Sequence, residues 1–316
     1  MLSRVAEALF WVGRYVERAE DTARLLDVHF HEVLEDPSVD EAGACAVLLT
    51  VMGIPGDTAQ RHRDSRAVLE LLGYDEATPN SIVGALVAAW QNARGAREAL
   101  SADTWECLNS TVNSIPTRVT AARDFGPAPF FSHIRERAAT FAGYAESTMS
   151  RDASHDLLVL GRSLERVDMT ARLLAARLGA GRDGDEGWTS TLRACSAYDA
   201  YLRTYQQGVE AHRVLEFLLV DRLFPRSVFH ALCSGEDALA RLDPTSGRSA
   251  LDEPARRAIG KARTDLEFLS AANLLDDLPE RLRELQRTVS TVSEAVTRQL
   301  FAGAAPMNWS LEEHVG

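Results

Sequence analysis

The sequence predicts an all-α protein: an elongated helical bundle of two duplicated halves, each led by a long amphipathic helix. Three observations carry that prediction. Apolar residues recur at helical spacing for more than thirty residues at the start of the chain. The same segment returns 148 residues later, close to half the chain length. No stretch alternates apolar and polar residues as a half-buried strand does.

In the first helix, Leu2, Val5, Leu9, Val12, Val16, Ala19, Ala23, Leu26, Phe30 and Val33 recur at steps of three and four. That spacing holds them on one stripe, as in bundles with coiled-coil-like packing. Pro37, with Ser38 and Asp40 behind it, ends the helix. Ser81 caps a run from Ile82 to about Leu100, and Ser101 caps a shorter helix carrying Trp105, Leu108 and Val112. Residues 132–150 read as helical and lead into the second long helix, whose seam is Leu157, Leu160, Leu164, Val167, Ala171 and Leu174.

After a loop at 179–188, helices are expected from Ser190 to about Val220 with a break at Gly208. Others are expected from Pro225 to about Leu242, Pro254 to about Ala271 and Pro279 to Phe301. Proline suits a first helical turn, where its missing N–H has no partner to lose. The halves are expected at 1–148 and 149–302, joined in one compact domain, with a loosely held tail at 303–316.

The duplicated segment is the most informative part of the chain. Gly13-Arg14-Tyr15-Val16-Glu17-Arg18-Ala19-Glu20-Asp21-Thr22-Ala23-Arg24-Leu25-Leu26 aligns without gaps with Gly161-Arg162-Ser163-Leu164-Glu165-Arg166-Val167-Asp168-Met169-Thr170-Ala171-Arg172-Leu173-Leu174, nine of fourteen positions being identical. The seam residues drift among Val, Leu and Ala while the arginines and the Glu17/Glu165 position stay. A solvated face stitched by ion pairs, each worth roughly 0.2–0.5 kcal/mol, would tolerate lysine or glutamine instead. Arginine offers a planar fork that grips carboxylate or phosphate through two bonds. Two readings stay open: a polar site shared by the two helices, or a buried structural Arg–Glu network. In the first, Arg14, Arg18, Arg162 and Arg166 bind an anion and Glu17 or Glu165 serves as a base or counter-charge.

Two further blocks are candidates. Asn92, Arg94 and Arg97 crowd a helix–helix corner with Trp105 and Asn109. Arg226 falls in the first turn of an expected helix, where the dipole disfavours a cation, so it needs an anionic neighbour such as Asp221 or an anionic ligand.

Other chemistries find little support. Acidic residues outnumber basic ones, 46 to 34, leaving a net charge of −12 that argues against nucleic acid and anionic membranes as partners. No Glu-x-x-His occurs, and only Asp152 and His155 stand at that spacing, so no di-iron or other metal site is expected. His29, His31 and Glu32 diverge around their helix. Gly179 to Gly184 spells G-x-G-x-x-G but follows a helix instead of a strand and is read as a linker. The four scattered cysteines, Cys45, Cys107, Cys195 and Cys233, are expected as free core thiols. With no apolar run of spanning length and no leader pattern at the N-terminus, the expected location is the cytoplasm.

At four ordered blocks the chain resembles the alpha-E family of bacterial all-helical proteins. They are Met1 to Glu20, Asn92 to Asn109, Leu160 to Leu174, and Phe224-Pro225-Arg226-Ser227-Val228. Ser163 departs from the aromatic residue usual there, and Asp103 from the commoner glutamate. The resemblance implies a partner, a circularly permuted ATP-grasp ligase, and a role in ATP-driven amide or peptide bond formation. ATP and Mg would then sit on the partner, with no cofactor in this chain and a peptide or amino acid as substrate. The alternative is a non-catalytic scaffold that docks and stabilises the ligase. A homo-oligomer stays open.

Overall fold

A computed structural model describes residues 2–36, 38–179, 185–242, 253–270 and 273–301. The expected tail at 303–316 and most of the Gly179–Gly184 linker lie outside these. Among the described residues every regular element is helical.

α1 (Ser3–Glu35) is followed by α2 (Glu41–Val51), two short helices α3 (Gly56–Ala59) and α4 (Ser65–Leu69), and a wide turn at Glu70–Tyr74. Then come α5 (Ile82–Gly95), α6 (Ala102–Phe125) and α7 (Ala128–Thr148). The second half holds α8 (Ala153–Gly179), α9 (Asp185–Ala194), α10 (Tyr198–Tyr205), α11 (Ala211–Val220), α12 (Val228–Leu242), α13 (Pro254–Glu267) and α14 (Leu278–Leu300).

The two long helices pack against each other, and the rest repeats around them. α1 packs on α5 and α7 as α8 packs on α12 and α14; α6 pairs with α7 as α13 pairs with α14. α2 crosses over to touch α8, and α9 crosses to touch α1. The duplication is therefore three-dimensional, with α1, α5, α6 and α7 answering α8, α12, α13 and α14. Among the described residues the buried apolar side chains form one continuous core, including Leu9, Phe10, Leu26, Leu157, Leu160 and Leu174.

The crossing of α1 and α8 depends on one glycine from each copy. A Cβ on Gly13 would lie 2.3 Å from the Leu158 carbonyl oxygen, and one on Gly161 would lie 2.1 Å from that of Phe10. The backbones touch there, reciprocally, as small residues permit.

Several boundaries differ from expectation for local reasons. The run after Ser81 stops at Gly95 and passes through a tight turn at Arg97–Ala99. The helix after Ser101 is long, running through Pro116, whose ring removes one backbone donor without ending it. The stretch from 190 to 220 is three helices, broken at Ser196 and Gln206, both with positive φ, instead of one helix broken at Gly208. Pro225 does not open a helix: α12 starts at Val228, after Ser227, whose hydroxyl accepts from the His230 N–H. Pro254 and Pro279 do sit in first turns. The four cysteines are free, three of them buried and Cys233 half-buried.

Gly13→Ala or Gly161→Ala is expected to destabilise the fold by at least roughly 1–3 kcal/mol, the usual cost of forced overpacking. Gly143→Ala, on an exposed position of α7 with open space around it, should stabilise by about 1 kcal/mol. Urea denaturation of the three variants checks both signs.

Candidate functional site

The polar face of α1 does point away from its apolar stripe, but it meets α8 and the 221–227 loop instead of water. Glu17 is 2% exposed and Glu165 1%. Each glutamate accepts a two-pronged bond from the arginine that follows its counterpart on the other helix. Arg18 donates from Nε to Glu165 Oε1 at 2.5 Å and from Nη2 to Oε2 at 3.1 Å. Arg166 donates from Nε to Glu17 Oε1 at 2.6 Å and from Nη2 to Oε2 at 2.9 Å. The two Glu-Arg pairs are thus exchanged across the glycine crossing. Planar guanidinium explains why lysine would not serve here.

Each glutamate then takes a second arginine, and here the halves part. Arg14 donates from Nε to Glu165 Oε2 at 2.6 Å and from Nη1 to Ser293 Oγ at 3.1 Å. Arg162, its repeat, makes no hydrogen bond or ion pair among the described residues. Arg226 stands at Glu17 instead, its Nη2 2.9 Å from Oε1, and also pairs with Glu20 at 3.2 Å and with Asp21.

The anionic neighbours of Arg226 are therefore on α1. Asp221, the neighbour expected from sequence, spends Oδ1 on the Leu223 and Phe224 N–H groups of its own loop. Arg226 itself precedes α12 instead of lying in its first turn.

That loop is a second repeat, overlooked in reading the sequence. Asp75, Pro79 and Ser81 recur 146 residues on as Asp221, Pro225 and Ser227. Ser81 donates to the Asp75 carbonyl and caps Gly84; Ser227 donates to the Asp221 carbonyl and caps His230. Both loops lean on the crossing: Arg18 donates to Asn80 Oδ1 at 3.2 Å, and Arg166 to the Pro225 carbonyl at 3.1 Å. Asn80 stands where the other copy has Arg226, and Met169 where the other has Asp21. The extra cation and the extra acid appear together, as burial of charge requires. The signal was present as a Pro-x-Ser pattern after an aspartate, too short to notice without the fold.

Electrostatics follow from this packing. Burial alone would raise the Glu17 carboxyl, but Arg166 and Arg226 more than reverse it and hold it at about 2. Glu165 is likewise held at about 2 by Arg18 and Arg14 against its burial. Asp21 differs: burial pushes it up to about 7, Glu17 and Glu20 add to that, and Arg226 only partly opposes them. One guanidinium shared by three carboxylates leaves one of them short of counter-charge. The arrangement can hold arginines rigidly, and carboxylates kept this acidic are weak proton acceptors.

Asn92, Arg94 and Arg97 make their contacts elsewhere, in the α5–α6 corner. Arg94 lies over the Trp90 ring at 5.1 Å and Arg97 over Trp105 at 5.5 Å. Asn92 donates to the Ala88 carbonyl, and Trp90 Nε1 donates to Asn109 Oδ1. Among the described residues no cluster of His, Cys, Asp and Glu is suited to a metal, and no helix is long and apolar enough to cross a membrane.

Fold and site together define a duplicated all-helical bundle closed by exchanged Glu-Arg pairs. Residues 1–301 match the Alpha-E family, described as a predicted alpha-helical domain with a conserved ER motif, and the chain belongs to that family. Glu-Arg occurs here at 17–18, 136–137, 165–166 and 280–281; the first and third are the exchanged pairs. An uncharacterised protein of Mycobacterium bovis is 28% identical over 326 residues, spanning 95% of this chain and 37% of its own length. Uncharacterised proteins of two Mycobacterium tuberculosis strains give the same figures. The chain thus spans little more than a third of these relatives. No solved structure matches.

Two outcomes are expected from these ion pairs. Glu165→Gln strands Arg14 and Arg18 in the interior and should cost roughly 3–5 kcal/mol of stability, measured by urea denaturation. In wild type, the stability supplied by Glu17 and Glu165 is present above the ordinary carboxyl value of 4.5 and is lost as pH falls towards about 2. Asp21 works oppositely: its contribution is full below 3.8 and is lost as pH rises through about 7. Denaturation midpoints across this range should therefore peak at mildly acidic pH, and Asp21→Asn should flatten the fall from the peak towards neutrality.

Proposed function

We propose that this chain is the helical companion of an ATP-grasp-type amide or peptide ligase, and that it supplies an Arg/Glu polar site for an anionic substrate or acyl phosphate. The observation that carries this reading is the convergence of Arg14, Arg18, Arg162, Arg166 and Arg226 on one crossing of two helices. Four of these form ion pairs with carboxylates, and Arg162 forms none among the described residues. In this reading Glu17 and Glu165 act as counter-charges that aim the arginines, since both oxygens of each carboxylate are already engaged.

ATP and Mg would bind on a circularly permuted ATP-grasp partner, which would activate a carboxylate for attack by an amine. The length of the mycobacterial relatives supports a second body: they carry a stretch like this chain within a protein nearly three times as long. A second reading, in which the chain only docks and stabilises the ligase, is favoured by the closure of most of the ion pairs.

Co-expression with the ATP-grasp protein tests both. The companion reading expects ADP release that needs both chains, a carboxylate and an amine. A stable complex whose ADP release matches that of the ATP-grasp protein alone would leave docking as the role, and failure to co-purify would remove both.

A further inference from the structure

We propose that the cleft between α1, α7 and α8 is a binding site for a small aliphatic monocarboxylate, held by the Arg162 guanidinium. This rests on the reading that the arginine-rich crossing holds an anion, and it goes on to name the residue, the place and the ligand class.

The argument is the asymmetry between the copies. Arg14 and Arg162 are repeats, yet Arg14 has two partners, Glu165 and Ser293, and Arg162 has neither equivalent. The glutamate it would use, Glu17, is occupied by Arg166 and Arg226. The hydroxyl it would use is missing. α7 and α14 align at the same 148-residue offset, with Arg135-Glu136 against Arg283-Glu284 and Glu146 against Glu294, so Ser293 corresponds to Ala145. Likewise Gln286 and Ser290 correspond to Ala138 and Ala142. With alanine at these positions, a small cleft of about 40 Å³ is lined by Ala138, Phe141, Ala142 and Ala145 on one side and by Arg162 and His155 on another.

The ligand class follows from the lining. A half-buried guanidinium with no carboxylate within ion-pairing distance among the described residues can take one from a ligand, which the planar fork grips in two bonds. Burial, and then the like charge of Arg166, lower the Arg162 pKa, with Glu17, Glu146 and Glu20 partly opposing them; a bound anion would oppose them further. The apolar α7 wall accepts a small hydrocarbon group. Glu17, Glu20 and Glu146 also border the cleft, and their negative charge disfavours a phosphate dianion against a single carboxylate.

The test uses the isolated chain with propionate, its uncharged amide analogue propionamide, and inorganic phosphate, followed by calorimetry and thermal shift. The acid is expected to bind and to raise the melting midpoint, and the amide to do neither. Arg162→Leu should abolish binding while raising the midpoint of the unliganded protein by a few degrees, because a stranded cation is removed. Ala145→Ser, which restores the missing hydroxyl, should weaken binding about tenfold with the fold intact, as expected when a competing hydrogen bond must be given up. The proposal is overturned if the amide binds as well as the acid, if phosphate binds more tightly, if no carboxylate binds, or if Arg162→Leu lowers the midpoint. No ligase is needed, so carboxylate binding without partner-dependent ADP release would sink the ligase reading and leave this site standing.

Discussion

Everything in this fold hangs on the contact of two backbones at Gly13 and Gly161. Because no side chain separates the helices there, Arg18 and Arg166 reach across to the opposite glutamate with two bonds each. The remaining helices then have fixed positions to occupy: α5 and α7 beside α1, α12 and α14 beside α8. A larger residue at either glycine would push the helices apart and lengthen every ion pair at once. Buried ion pairs are seldom a net source of stability compared with apolar packing. Their value here is in register, since only one alignment of α1 on α8 satisfies both glutamates.

Duplication also explains how such a molecule can acquire a site. A symmetric pair of Arg–Glu exchanges is closed and leaves no group free. The two copies diverged in a few places: Arg226 against Asn80, Asp21 against Met169, Ala145 against Ser293. Each change alters who partners whom around the crossing. The first half became crowded with acids around Arg226, and the repeat of Arg14 was left facing a cleft. Polar groups that the scaffold does not use are where chemistry is most readily placed, because they cost stability until a ligand arrives.

The helical class, the long seams and the first repeat were legible because they depend on local spacing. A helix shows its apolar residues at steps of three and four whatever it packs against. The caps at Ser81 and Ser101 were legible for the same reason. Boundaries set by packing were not: α6, packed along α7, continues through Pro116, and the 190–220 stretch breaks at Ser196 and Gln206, residues with no strong preference for positive φ. The repeat of the Asp75–Ser81 loop was also missed, since three matching residues in seven carry no weight until both loops are seen leaning on one crossing.

From the sequence alone came the identity of the charged residues, their retention in both copies, and the inference that arginine was needed for its geometry. Their spacing along a helix is a property of the chain itself. Which glutamate each arginine meets, that Arg226 joins α1 and not its own loop, and that Arg162 is left over were decided by tertiary structure. The reason is physical: ion pairing depends on distances between segments some 150 residues apart, and those are set by how closely two glycines let their helices approach.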